Sequence, residues 1–289
     1  MTLVVGCATP DIGYLVADTL LSFEFDLKGR TGPVNGESHA LKIQILNSTT
    51  AVAFAGDVGT SLNLIRILHA RLSADRMIDP CEQLLASYRA LAMTASASDC
   101  EFLVLRLAAE GKTLARITRE GVFNCTRAYI GDAAAYKLLS QLQRPYFAPA
   151  VQHVQQPDGT FRVVPLVESE GQIEFAKVSN AMEALTHRRH SASVGAIAGC
   201  VTRVVDARIS GELEYLQSVE SSLTPLEGNS GFSLLASNSG TRGIGIYYRS
   251  GKVGFLFVVG DGEPCHKEYA ETIEEFIEGA RARHGLNLV

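Results

Sequence analysis

The chain has 289 residues, a formal net charge of −5, 46% hydrophobic and 20% charged residues, and no tryptophan. That length allows one large domain or two small ones with a substantial core, and mild acidity without a basic stripe argues against nucleic acid as a partner. No apolar run reaches the roughly 18 residues a membrane span needs, and the N-terminus lacks a basic n-region and a small-residue cleavage site, so the expectation is a cytoplasmic protein without a membrane segment.

The first 18 residues read as two β-branched, apolar strands, 2–8 and 12–18, around the turn "TPDIG". A glycine-rich irregular stretch follows, then a second hairpin made of "LKIQIL" (41–46) and "TAVAFAG" (50–56) joined by "NST". After Gly56 the apolar period changes to that of a helix, with Leu64, Ile67, Leu68 and Leu72 on one face. A second helix starts at "DPCE", where Asp79 can cap, Pro80 suits the first turn and Glu82 can close a capping box. Strands "EFLVLRLA" and "TLARITREG" come next, then the short strand "AYIG" feeding a helix "DAAAYKLLSQL". Residues 145–180 read as an insertion with a hairpin signal at "PDGT", and 194–209 as a helix; the segment near 210–228 is uncertain. Three strands follow, "GFSLLAS", "RGIGIYYR" and "KVGFLFVV", and a final helix carries Tyr269, Ile273, Phe276, Ile277 and Ala280 on one face. Hairpins grouped around helices indicate an antiparallel α+β layered fold, read as a single domain over 1–289.

Six scattered cysteines without a C-x-x-C pair read as free, mostly buried thiols of a reducing compartment. Seven histidines show no metal-ligand spacing, and His187 and His190, flanking two arginines, read as solvated surface. No cofactor or metal is expected.

Four stretches in order carry a resemblance: Thr2 at the head of the first strand; "GYLVAD", which ends at Asp18 sixteen residues later; "LKIQIL", with Lys42 near its start; and "AVAFAGD", running straight into a helix. Together they resemble the proteasome β-subunit family of N-terminal-nucleophile hydrolases, and within it the bacterial HslV-type threonine peptidases. "YIGDAAAYKLL" and "GNSGFSLL" match later family landmarks more weakly, and the likeness fades across 145–228. The resemblance implies a four-layer αββα sandwich of two antiparallel sheets. It implies a threonine-type endopeptidase acting on peptides or unfolded proteins, assembled as a homo-oligomeric ring, with an AAA+ unfoldase as a partner by analogy.

The chemistry of such a site explains the residue types. A threonine hydroxyl needs a base beside it, and the α-amine of the same residue, with a pKa of about 7.7–8.0, is partly neutral near pH 7. That base exists only once Met1 is removed. Lys42 would favour the developing alkoxide, with Asp18 holding it charged and oriented. Gly56 would donate its N–H to the oxyanion. The family has a serine where this chain has Asp132, and Glu227 and Ser230 fall near the family's remaining helper positions; the loop between Asp18 and Lys42 is longer than the family's. Phe54 would floor the primary specificity pocket with Val58 just beyond, implying cleavage after small or medium apolar residues.

Structural explanations stand beside each of these. Asp18 can be a strand-end turn residue, Lys42 a solvated lysine on an edge, Asp132 a helix cap and Gly56 a turn glycine. Two other functions stay open: an inactive structural subunit of the same fold, and an N-terminal-nucleophile amidohydrolase for a small amide. Cys7, mid-strand and in an apolar setting, reads as a core residue rather than a nucleophile.

Overall fold

The computed structural model describes residues 2–19, 39–75, 77–94, 99–108, 110–143, 151–155, 161–165, 169–187, 201–206, 211–216, 220–222, 231–249 and 251–289. The opening hairpin forms as expected: β1 (Leu3–Ala8) pairs antiparallel with β2 (Gly13–Ala17), with Val5 opposite Val16. The turn is held by Thr9, whose N–H donates to the Ile12 carbonyl and whose hydroxyl accepts from the Ile12 N–H. The second hairpin is β3 (Ile43–Asn47) with β4 (Thr50–Gly56), and α1 (Val58–Ala74) follows at once. Asp57 caps α1, accepting from Thr60 N–H at 2.7 Å. α2 (Pro80–Thr94) starts after Asp79, whose Oδ1 accepts from the Cys81 and Glu82 N–H groups.

The chain then runs through β5 (Cys100–Ala108), β6 (Gly111–Ile117), β7 (Val122–Cys125), β8 (Arg127–Gly131) and α3 (Ala133–Leu142). The sequence reading does not anticipate β7: "TLARITREG" turns back after Ile117 instead of running on to Gly121. Beyond it lie the hairpin β9 (Val151–Gln155) and β10 (Phe161–Pro165), then α4 (Glu170–His187), β11 (Thr202–Asp206), β12 (Leu213–Tyr215) and β13 (Glu220–Ser222). The chain closes with β14 (Gly231–Ser237), β15 (Gly243–Tyr248), β16 (Val253–Val258), β17 (His266–Tyr269) and α5 (Ile273–His284).

The described strands form three five-stranded antiparallel sheets, ordered β12-β11-β2-β1-β8, β3-β4-β5-β6-β7 and β13-β14-β15-β16-β17, plus the β9–β10 hairpin. On one face of the first sheet, Leu3, Val5, Cys7, Tyr14 and Val16 pack against Ala135 and Leu139 of α3 and Val178, Met182 and Leu185 of α4. On its other face, Val4, Leu15 and Ala17 share the main core with the second sheet. Gly6 allows the close approach: a Cβ there would stand 2.7 Å from Leu15 and 3.2 Å from Leu103 and Leu114. Side chains alternate across a strand, so Phe102, next to Leu103, points to the far side of the second sheet, where it meets Tyr88 of α2 edge-on. Burial on both faces explains why β4 reads as an unbroken apolar run rather than an alternation. The third sheet places Phe232, Leu234, Ile246 and Phe257 in the same main core and turns Leu235, Tyr247 and Leu256 toward Phe276 and Ala280 of α5.

Two expectations are corrected. The helix expected over 194–209 is a strand in its described part: Thr202–Asp206 pairs with β2, Thr202 opposite Ala17 and Val205 opposite Tyr14. Its β-branched residues suit a pleated surface, and the exposed edge of β2 offers a ladder of hydrogen bonds that a lone helix would not supply. Tyr269, expected on the last helix, lies on β17 and is exposed; the helix starts later, at Ile273, capped by Thr272. The stretch read as an insertion ends in α4, which the sequence reading does not anticipate. Ser169 and Gln172 form a reciprocal capping box, Gln172 N–H to Ser169 Oγ at 3.3 Å and Ser169 N–H to Gln172 Oε1 at 2.9 Å.

Candidate active site

Thr2, Asp18 and Lys42 come from three separate strand ends and meet. Thr2 Oγ1 donates to Asp18 Oδ1 at 3.1 Å, and Lys42 Nζ donates to Asp18 Oδ2 at 2.8 Å. The Leu3 N–H donates to the same Oδ1 at 3.0 Å, so one carboxylate ties the nucleophile candidate, the backbone beside it and the lysine. Thr2 is 6% exposed, Asp18 0% and Lys42 1%. A lysine buried to this degree is costly unless paired. Burial pushes the Lys42 ammonium below its ordinary range, and the Asp18 carboxylate opposes that.

The strands fix these positions. Asp18 N–H donates to the Leu3 carbonyl at 3.4 Å, carrying the β1–β2 ladder one residue past β2. The Lys42 carbonyl accepts from Phe54 N–H at 3.0 Å, which places Lys42 beside β4. On the other side of β1, the Asp132 N–H donates to the Thr2 carbonyl at 2.8 Å. Gly131 sits there with φ +94°, and a Cβ at that position would lie 2.0 Å from the Thr2 carbonyl oxygen. Only glycine fits that contact, a constraint the sequence reading does not single out although "YIGD" carries it.

The remaining candidates fare differently. Gly56 is exposed, ends β4 with φ +101°, and stands two residues beyond Phe54, the residue bonded to Lys42. A Cβ on it would come within 2.2 Å of the Asp99 carbonyl oxygen, so backbone geometry by itself demands glycine there. The Asp132 carboxylate caps α3, its Oδ1 accepting from the Ala134 and Ala135 N–H groups at 2.8 and 3.0 Å. Its link to Thr2 runs through the backbone. Phe54 is 1% exposed within the main core, opposite Phe102 in the ladder, and Val58 is half-buried against that core. Glu227 and Ser230 lie outside the described residues.

Sequence reasoning passes over Thr19 and His39, which bridge beside the trio, with Thr19 Oγ1 3.2 Å from His39 Nδ1. Cys7 is buried in the core against α3 and α4, and burial pushes its thiol up, away from nucleophilic use. Two clefts of about 600 and 640 Å³ open elsewhere, one beside Arg116, Phe123, Tyr129 and Tyr136, the other beside Asp79, Arg106 and Lys112; neither is lined by the trio. Among the described residues no group of three or more His, Cys, Asp or Glu is placed to hold a metal ion, and no helix is long and apolar enough to cross a membrane. Comparison with known proteins finds no matching family model and no similar curated protein.

Proposed function

We propose that this chain is an N-terminal-nucleophile hydrolase of the threonine-peptidase type, with Thr2 as nucleophile. The observation that carries the reading is the buried chain of hydrogen bonds from the Thr2 hydroxyl through Asp18 to Lys42. Once Thr2 bears the free α-amine, that amine takes the hydroxyl proton as Oγ1 attacks the substrate carbonyl carbon. The Lys42 ammonium stabilises the negative charge that develops near Oγ1, and Asp18 holds the ammonium in place. The Gly56 N–H is the candidate donor to the tetrahedral oxyanion. The protonated amine then passes its proton to the leaving amine, and water releases the acyl group from Oγ1 by the reverse sequence. Asp132 acts through its backbone N–H on the Thr2 carbonyl and through its cap on α3.

The four-layer αββα plan is supported by helices α3 and α4 on the outer face of the first sheet, the core shared between the first two sheets, and α2 beyond the second. The third sheet adds to the same core. Peptide or unfolded-protein substrates, a homo-oligomeric ring, an AAA+ partner and a cytoplasmic location extend the same proposal by resemblance. A preference for cleavage after small or medium apolar residues rests on the resemblance alone, because Phe54 is buried in the main core and presents no surface to a substrate, and only Val58 beside it is partly exposed; a peptide panel favouring arginine or glutamate would refute that preference.

A second reading, a non-catalytic subunit of this fold, is favoured by one observation: the Asp132 carboxylate, at the position where the family has a serine, is engaged in capping α3. Mass spectrometry after incubation with peptide epoxyketones separates the two. That warhead closes a ring with a hydroxyl and a free amine on one residue, so an adduct at Thr2, lost in Thr2→Ala, supports the peptidase. No adduct on protein shown to lack Met1 favours the structural subunit or a small-amide hydrolase.

A further inference from the structure

Thr19 follows Asp18 directly and is 1% exposed. Its Oγ1 lies 3.2 Å from His39 Nδ1, and its carbonyl accepts from the Ala40 N–H at 3.0 Å. Lys42 follows three residues after His39 and donates to Asp18. The two bridges are thus laced together: each strand end supplies one member of the ion pair and one member of the Thr19–His39 contact. Whichever ring nitrogen carries the proton in the neutral form, Nδ1 reaches Thr19 as donor or acceptor.

From this lacing we propose that His39 is a positioning residue for the Thr2 site, holding Asp18 through Thr19 and displacing the Asp18–Lys42 pair when it takes up a proton. The charged groups acting on the ring are Lys42, which disfavours protonation, and Asp18, which favours it; burial disfavours it more than either acts. A second cation placed beside Lys42 must weaken the hold of one carboxylate on one ammonium. The functional consequence rests on the reading of Thr2 as a reactive centre, but the bridge can be tested without it.

The Leu3 amide is the reporter, because it donates to Asp18 Oδ1. In protein deuterated except at histidine and labelled with ¹⁵N-leucine, its peak is assigned by its loss in Leu3→Ile and followed from pH 8 to 5, alongside the His39 ring proton, assigned by its loss in His39→Asn. The expected result is a step in the Leu3 shift at the His39 midpoint. That step is absent in His39→Asn, which keeps a polar atom where Nδ1 stands but cannot titrate, while the peak stays near its position in the unsubstituted protein at pH 8. In His39→Leu the peak is displaced at every pH. A His39 ring that does not titrate between pH 8 and 5, a Leu3 amide that shows no step at the His39 midpoint, or a Leu3 peak that keeps its position in His39→Leu overturns the proposal. An intact Leu3 step together with no epoxyketone adduct would remove the peptidase reading and leave the positioning role standing.

Discussion

Replacing Asp18 by asparagine tests the buried pair directly. The amide side chain of Asp18→Asn would still offer an oxygen to the Leu3 N–H and the Thr2 hydroxyl, so the lost element is the negative charge facing Lys42. Removing one partner of a buried pair costs about 3–5 kcal/mol. The penalty has a ceiling, because Lys42 can shed its proton on folding. At pH 7, some 3.4 units below the ordinary lysine value, neutralisation costs about 4.6 kcal/mol, and at pH 9 about 1.9 kcal/mol. In the variant the folded chain then holds one proton fewer than the unfolded chain, so its stability rises with pH by about 1.4 kcal/mol per unit up to the lysine value of the unfolded chain. The gap between the unsubstituted protein and Asp18→Asn, measured by urea unfolding at pH 7, 8 and 9 with unchanged m, should narrow by up to about 2.7 kcal/mol. A gap constant over that range would refute the reasoning and place Lys42 in contact with solvent or another anion. Lys42→Met, which leaves the carboxylate buried without this cation, should lose about 3–5 kcal/mol.

Gly131→Ala should destabilise by roughly 1–3 kcal/mol through its positive φ alone, and the clash with the Thr2 carbonyl should also reduce epoxyketone modification of Thr2; a silent substitution in both assays would contradict the contact geometry. Asp132→Ala should cost about 1 kcal/mol in a thermal melt by uncapping α3, while Asp132→Asn should keep the cap; a loss of Thr2 reactivity in Asp132→Asn without a change in melting would reveal a role for its charge. His69 is held neutral by burial, its folded value below that of the unfolded chain. Its contribution to stability is therefore full above about pH 6.5 and is lost as pH falls through the folded value, and His69→Asn should show a shallower fall in urea midpoint between pH 7.5 and 5 than the unsubstituted protein.

The parts of the fold legible in the sequence are those written in local chemistry. The first two hairpins, the switch to helix after Gly56 and the cap at Asp132 all follow from side-chain period and turn residues. Helix α4 is equally legible: Phe175, Val178, Met182 and Leu185 keep helical spacing behind the Ser169–Gln172 box, and the hairpin signal at "PDGT" hides it by drawing the whole stretch into an insertion. Strand β11 is not legible in this way, since "TRVVD" becomes a strand by pairing with β2, nearly two hundred residues earlier in the chain.

The candidate site divides along the same line. The sequence by itself determined which residue types were on offer: a threonine heading a strand, an aspartate ending the next, a lysine opening the third, a glycine where the fourth turns into a helix. Only the tertiary structure decided that Asp18 and Lys42 meet at 2.8 Å with both buried, that Gly131 must be glycine because the Thr2 carbonyl lies against it, and that His39 reaches Thr19. It also put Phe54 inside the main core and committed the Asp132 carboxylate to a helix cap. Local preferences act over a few residues, whereas these contacts join strand ends far apart along the chain, and their free energy exists only once the sheets have paired and water has been excluded from between them.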